Sequence, residues 1–311
     1  MIKKISLLWV LVIVTSTMMT GGVIADDLKV IKVAANVYAL VGQTTQRSSV
    51  NLGNNANFGA IITNTGVVLV DSGGSLNGAK HIEKMVRQFS DKPIIKVINT
   101  GGQDHRWIGN DYFKKQGAEI IASTAAVEDQ QQRSNLQFEI MANLIGADLF
   151  KGSEAVFADK TFDETLLLNV GGTRIELYAT QGSHTQGDVY VWLPDTKTMF
   201  TSDLVYTNRI LGIADYSVFS NWIPAFEKMA AFNPVVAVPG HGMPGPLSLM
   251  KTDTYDYLVN LRDKVTAVIE SGGEIADATV VDQQQFKYLE NFDQLSRRNA
   301  QQVFIQLEFE L

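Results

Sequence analysis

The chain has 311 residues, 45% hydrophobic and 19% charged, with a formal net charge of −7, enough to bury a large core. Its acidic balance, without basic runs, excludes nucleic acid and an anionic membrane surface as main partners. It contains no cysteine, which excludes disulfides, lipid attachment at an N-terminal Cys and thiolate ligands, leaving nitrogen and oxygen donors for any metal.

Met1-Ile2-Lys3-Lys4, an apolar run over 5–14 and Val23-Ile24-Ala25 form the three parts of a secretory signal. The apolar core is too short to cross a bilayer, so cleavage after Ala25 is expected. Losing 1–25 removes two lysines and no acid. The mature chain, 26–311, is then periplasmic or secreted, free of the membrane, and reads as one domain with a C-terminal helical extension.

Residues 28–40 alternate weakly and predict a first edge strand. The polar stretch 42–57 predicts a loop, either a substrate lid or a mobile connector. Apolar runs over 58–63 and 67–70 around Asn64-Thr65-Gly66 predict a hairpin. A helix over 76–89 follows, with Ile82, Met85, Val86 and Phe89 on one face and His81 among charged neighbours, where an exposed surface position is expected. The run 94–98 is a strand leading into Asn99-Thr100-Gly101-Gly102-Gln103-Asp104-His105-Arg106-Trp107-Ile108-Gly109-Asn110. A strand that ends in a loop carrying adjacent carboxylate and imidazole is a common way to hold a divalent metal.

Helices are predicted over 111–116 and 124–147. Hairpins follow at 166–178, around Gly171-Gly172, and at 189–200, around Pro194-Asp195-Thr196-Lys197. Helix over 218–231, a buried strand at 235–238 and helices over 248–270 and 285–307 complete the chain. Strands and helices alternating in two successive halves favour an α+β class: an αββα sandwich of two mixed sheets packed face to face with helices outside.

Three further segments carry ligand-type residues: Gly182-Ser183-His184-Thr185-Gln186-Gly187-Asp188, Thr201-Ser202-Asp203 and Pro239-Gly240-His241-Gly242. Three of the four histidines in the chain fall in these segments and the 99–110 loop. In this order the set resembles the metallo-β-lactamase fold superfamily over roughly residues 28–250. Members of that family carry T-H-x-H-x-D-H, then G-x-H-T-x-G, a G-D or S-D pair, and a late G-H. His184, Asp203 and His241 match the last three. The first motif matches only in Asp104 and His105. Aligned back from these, the missing histidines fall at Thr100 and Gly102; aligned forward from Thr100, they fall at Gly101 and Gln103.

The resemblance implies a metal-dependent hydrolase acting on a small molecule. Asp104, His105, Asp203 and His241 would hold one ion, zinc by default, with iron or manganese also suited to a mixed N/O set. His184 would belong to a first site that has lost its partners, unless Gln103 or Thr100 contributes. Metal-bound water oriented by Asp104 would attack an ester, thioester or amide. Asp71 and Asp188 are expected to orient loops. Tyr206, Asn208 and Arg209 are expected to line the pocket, with Trp107 and Trp222 as an apolar wall. Two rivals stand beside this reading: a non-catalytic binding protein on the same fold, supported by Gly101-Gly102, and a β-lactamase.

Overall fold

The computed structural model describes residues 28–310, so the expected export signal lies outside the described residues. The strands are β1 (Lys29–Ala34), β2 (Val37–Val41), β3 (Phe58–Ile62), β4 (Val67–Val70), β5 (Ile94–Ile98), β6 (Glu119–Ser123), β7 (Lys160–Phe162), β8 (Thr165–Val170), β9 (Thr173–Ala179), β10 (Val189–Leu193), β11 (Thr198–Phe200) and β12 (Val236–Val238). Helices α1 (Leu76–Val86), α2 (Asp104–Trp107), α3 (Asn110–Lys115), α4 (Thr124–Ile145), α5 (Ala147–Phe150), α6 (Phe219–Ala230), α7 (Leu247–Met250), α8 (Asp256–Glu270), α9 (Ile275–Ala278) and α10 (Phe292–Leu307) cover them.

A seven-stranded sheet runs β1 to β7 in chain order, and a five-stranded sheet runs β12-β11-β10-β9-β8. Both are mixed: β4 to β7 pair in parallel, as do β11 and β12, and the remaining pairs are antiparallel. The period-2 alternation of strands assigns the faces. In β10, Val189, Val191 and Leu193 point into the layer between the sheets, where they meet Val37, Ile61, Val68 and Ile121 of the larger sheet. Tyr190 and Trp192 point the other way, against Trp222, Tyr257, Leu261 and Phe304. The outer face of the larger sheet packs Leu40, Phe58, Leu69 and Val97 under Ile82, Met85 and Phe113. The result is the expected αββα sandwich. Helices α8 and α10 are part of its outer layer, because their apolar stripes close the smaller sheet.

The structure differs from the sequence expectations in a few places. Residues 28–40 form two strands, reversed at Asn36 with φ 59°. Strands β6 and β7 carry no strong alternation and went unread. The last helix begins at Phe292, after a turn over Gln284–Phe286. His81 is buried at 6% exposure: α1 packs against both α3 and α5, so a face flanked by charges is still covered. The 42–57 loop is pinned by its own asparagines. Asn57 Nδ2 donates to Pro239 O and Gly242 O, Asn54 Nδ2 to Gly78 O and Asn51 Nδ2 to Gln46 O, at 2.7–2.9 Å.

Candidate metal centre

Asp71 follows β4, Asn99 follows β5, Asp203 follows β11 and His241 follows β12, so all four arrive at one rim of the sandwich. Two non-glycine residues there take left-handed backbone, Asp71 at φ 66° and Ser202 at φ 55°, a conformation costing about 1–2 kcal/mol. Both are held by the β5 loop. The Asp71 carboxylate accepts from Thr100 N at 2.7 Å and from Thr100 Oγ1, and Ser202 Oγ donates to Thr100 O at 3.0 Å. The Asp203 carboxylate lies so close to Gly240 that a Cβ there would stand 2.5 Å from Oδ1, which explains the glycine before His241.

His105, Asp203 and His241 converge, with one ligand atom from each lying within 4.8 Å of the others and all three side chains buried. His105 Nε2 is 3.2 Å from Asp203 Oδ2, and His241 Nε2 is 3.2 Å from Asp203 Oδ1. Arg106 lies beneath them, fully buried. Its Nε and Nη2 donate to the two Asp203 oxygens at 3.1 and 2.6 Å, and its Nη1 donates to Asp71 at 2.8 Å. Burial opposes charge on this guanidinium, but Asp203 and Asp71 outweigh it and hold Arg106 protonated. Burial likewise opposes charge on Asp203, yet Arg106 and His105 keep it ionised, well below the usual carboxylate range.

The ring nitrogens test whether the cluster suits a metal. His241 Nδ1 sits 2.9 Å from Asn55 O and His184 Nδ1 sits 3.2 Å from Gly212 O. A carbonyl only accepts, so His184 Nδ1 carries the proton. Burial holds His241 well below the ordinary imidazole value, and holds His184 at about 4, so each ring is neutral at pH 7. His241 then has one ring proton between two acceptors, Asn55 O at Nδ1 and Asp203 Oδ1 at Nε2. A cation between Nε2 and Asp203 would leave that proton to Asn55 O. A divalent metal fits: the donor set is N₂O, it leaves coordination positions open, and His241 already has the outer hydrogen bond that orients metal-binding imidazoles.

Asp104, expected as ligand and water-orienting group, stands outside this cluster. Its Oδ1 accepts from Arg47 Nε at 2.8 Å and from His105 N at 2.7 Å. Burial would raise its pKa, but Arg47 and His105 hold it far below the usual range. This placement selects a continuous reading of T-H-x-H-x-D-H from Thr100. Gly101 and Gln103 replace the two histidines, His105 takes the aspartate's place and Arg106 the last histidine's.

The rest of the loop agrees with that register. Gln103 faces the cleft and accepts from Tyr216 OH at 3.1 Å. Thr100 turns down to Asp71, and a Cβ on Gly102 would meet Asp129 Oδ2 at 1.7 Å. His184 lines the cleft but its ring contacts are aromatic: Trp222 at 5.6 Å and Tyr206 at 5.9 Å. Asp188 ties the loop, accepting from Ser183 Oγ at 2.6 Å and Thr185 N at 2.8 Å.

Tyr206 also lines the cleft, stacked on His241 with centroids 4.8 Å apart. Asn208 does not: its left-handed backbone turns Oδ1 to Met243 N at 2.9 Å. The expected tryptophan wall is core instead, Trp107 donating to Gln137 and Trp222 to Leu204 O, both fully buried. Sequence reasoning missed Arg47 and Arg106. An arginine directly after a candidate ligand was the available signal for the second.

A family model described as the metallo-beta-lactamase superfamily matches residues 53–241. The 2,4-dinitroanisole O-demethylase subunit alpha of Nocardioides sp. is 24% identical over 58% of this chain, which matches about half of that relative (51%). A metallo-beta-lactamase type 2 of Elizabethkingia meningoseptica is 23% identical over 78% of this chain and 89% of its own. Among solved structures, a metallo-beta-lactamase from Pontibacter korlensis superposes with TM-score 0.59 at 22% identity, covering 75% of this chain and 99% of its own. At that identity the likeness shows the fold.

Proposed function

The chain belongs to the metallo-beta-lactamase superfamily, and from that premise we propose an exported small-molecule hydrolase that holds one divalent metal, zinc by default, on His105, Asp203 and His241. The observation that carries this is the convergence of His105, Asp203 and His241 in one buried cluster, with His241 oriented by Asn55 O and 3.2 Å from Asp203 Oδ1. A bound divalent ion would supply Lewis acidity and lower the pKa of water from 15.7 to about 7.

The chain's own residues do the rest. Arg106 fixes both Asp203 oxygens, so the carboxylate cannot swing away from the two imidazoles. His184 offers its free Nε2 to the cleft as a hydrogen-bond acceptor, orienting a nucleophile's O–H. Tyr206, whose pKa burial pushes well above the ordinary phenol value, stays a protonated donor beside His241. Asp104 acts one step back by anchoring Arg47 on the cleft wall. The substrates that fit are esters, thioesters or amides small enough for a cleft of about 160 Å³.

Export rests on the signal-like N-terminus, and periplasmic protein is expected to begin at Asp26 on N-terminal sequencing. Elemental analysis of that purified protein tests the metal. About one equivalent, retained in Asp104→Asn and lost in His241→Ala, supports the hydrolase. Metal-free protein after zinc supplementation supports the binding-protein rival, which Gly101-Gly102 favours. Two of the proteins that resemble this chain are named metallo-beta-lactamases, yet no residue of the cleft selects a β-lactam, and nitrocefin turnover decides that point.

A further inference from the structure

The segment that carries Tyr206 to His241 is held from two sides. On one side it runs along the His241 loop: Gly240 N donates to Val205 O at 2.8 Å and Thr207 N to His241 O at 2.9 Å. On the other, a single hydroxyl bonds both backbone groups of Tyr206. Thr254 Oγ1 accepts from Tyr206 N at 2.9 Å and donates to Tyr206 O at 2.6 Å. One residue back, the Asp253 carboxylate accepts from Asn208 N at 2.8 Å and from Tyr288 OH at 2.7 Å. Both residues are buried. They sit on a π-helical turn, Lys251–Tyr255, between α7 and α8; such turns are rare and are found frequently at functional sites.

What this clamp controls is the plane of an imidazole. Asn55 O, 2.9 Å from Nδ1, fixes one point of the His241 ring, about which the ring is still free to turn. Tyr206 removes that freedom. Its phenol lies face to face with the imidazole, centroids 4.8 Å apart and planes 16° from parallel, the stacked arrangement that ring pairs favour. The plane of the ring in turn decides where Nε2 points, which is toward Asp203 Oδ1 at 3.2 Å. We propose that Thr254, with Asp253 beside it, is a positioning residue for the metal centre: the π-helical turn clamps backbone 206–208, and the Tyr206 ring so held sets the plane of His241. The assignment rests on the hydrolase reading for the word metal, but the ring geometry exists without an ion.

A second threonine separates positioning from plain stability. In the turn between β3 and β4, at the end of β4 away from Asp71, Thr63 Oγ1 donates to Gly66 O at 2.7 Å and accepts from Gly66 N at 3.2 Å, the same pair of bonds remote from the metal centre. Zinc affinity of the full-length mature protein, by competition with an indicator at a temperature where every variant is folded, is the first readout. Thr254→Val keeps the side-chain shape and loses both bonds, and should weaken zinc by about tenfold, the lower end of what residues that orient ligands contribute. Thr254→Ser, which keeps the hydroxyl, should bind like wild type. Thr63→Val should lower the urea midpoint and leave zinc affinity unchanged. Tyr206→Leu removes the stack, and adding Thr254→Val to it should cost no further affinity, because the two act through one ring. The second readout needs no metal: NMR of the histidine rings in chelator-stripped protein. The His241 ring protons, shifted upfield by the Tyr206 face, should move toward ordinary values in Thr254→Val and Tyr206→Leu and stay in place in Thr254→Ser and Thr63→Val. Wild-type zinc affinity or wild-type ring shifts in Thr254→Val overturn the proposal, as does an equal loss of affinity in Thr63→Val. Wild type that binds no zinc would sink the hydrolase reading, and the ring shifts would then decide the positioning role alone.

Discussion

The two sides of the cleft are served by the same loops, yet they differ in what they can hold. On one side His105, Asp203 and His241 converge within 4.8 Å, backed by Arg106. On the other, His184 looks across at Gln103, which Tyr216 already occupies, and the residues before Gln103 are glycines packed against Asp188 and Asp129. The first side is a set of donors pointed at a common volume. The second has filled that volume with its own carboxylates and hydrogen bonds. A lost ligand is thus a packing change as well as a missing donor, and the two sides should respond differently to substitution.

The largest expected effect is on the supported side. Arg106→Met removes the only cation bonded to both Asp71 and Asp203 among the described residues. Breaking a buried pair from one end typically costs about 3–5 kcal/mol, to be read as a lower urea midpoint in metal-free protein. A midpoint shift no larger than that of a surface arginine would show that water takes over the Arg106 contacts. Next comes metal affinity. His105→Ala and His241→Ala should weaken zinc binding by more than the roughly 10–100-fold typical of outer hydrogen-bond partners, whereas Asp104→Asn should stay within that range. Equal losses in Asp104→Asn and His105→Ala, measured by competition with a zinc indicator, would put Asp104 back among the ligands.

On the emptied side, restoring histidines should not restore a metal. Neither Thr100→His with Gly102→His nor Gly101→His with Gln103→His is expected to raise zinc above about one equivalent. A Cβ at Gly102 meets Asp129, itself paired with Arg133, and one at Gly101 meets Asp188 Oδ1 at 2.6 Å. Such overpacking costs about 1–3 kcal/mol or more, so both variants should also melt lower. A second zinc in the 101/103 pair would show that the loop yields.

The sandwich was legible because β10, β3 and β4 announce themselves through runs of Val, Ile and Tyr, and because the αββα layering follows from strands alternating with helices. Strand β6 escaped because Ala-Glu-Ile-Ile-Ala-Ser has neither alternation nor a turn signal beyond Gly117. At the site, His105, Asp203 and His241 were readable as residue types at strand ends. Asp104 stands outside the cluster because adjacency to His105 in sequence does not set which way a short helix points each side chain. His81 misled because burial of a helix face depends on elements distant in the chain, here α3 and α5. Arg209 was legible as a pocket residue and does line the cleft, whereas Arg106 became readable only once its carboxylate partners could be seen.

The smallest effect concerns Asp188, beneath the emptied side. Burial raises its pKa to about 7, outweighing the donors Ser183 and Thr185 that would lower it. In the unfolded chain an aspartate titrates near 3.9, so from about pH 4 to pH 7 the folded state keeps a proton that the unfolded state releases. Stability contributed by this group therefore falls as pH rises through that window and levels off above pH 7, by at most about 1.4 kcal/mol per unit. Asp188→Asn carries no titrating group there, so the stability difference between wild type and variant, from urea midpoints at half-unit pH steps, isolates the slope. A difference that moves in wild type's favour with rising pH would mean the hydrogen bonds from Ser183 and Thr185 keep Asp188 ionised. The group beneath Gly101 would then be an anion held by its own loop, and Gly101 would be small because a charged carboxylate requires the space.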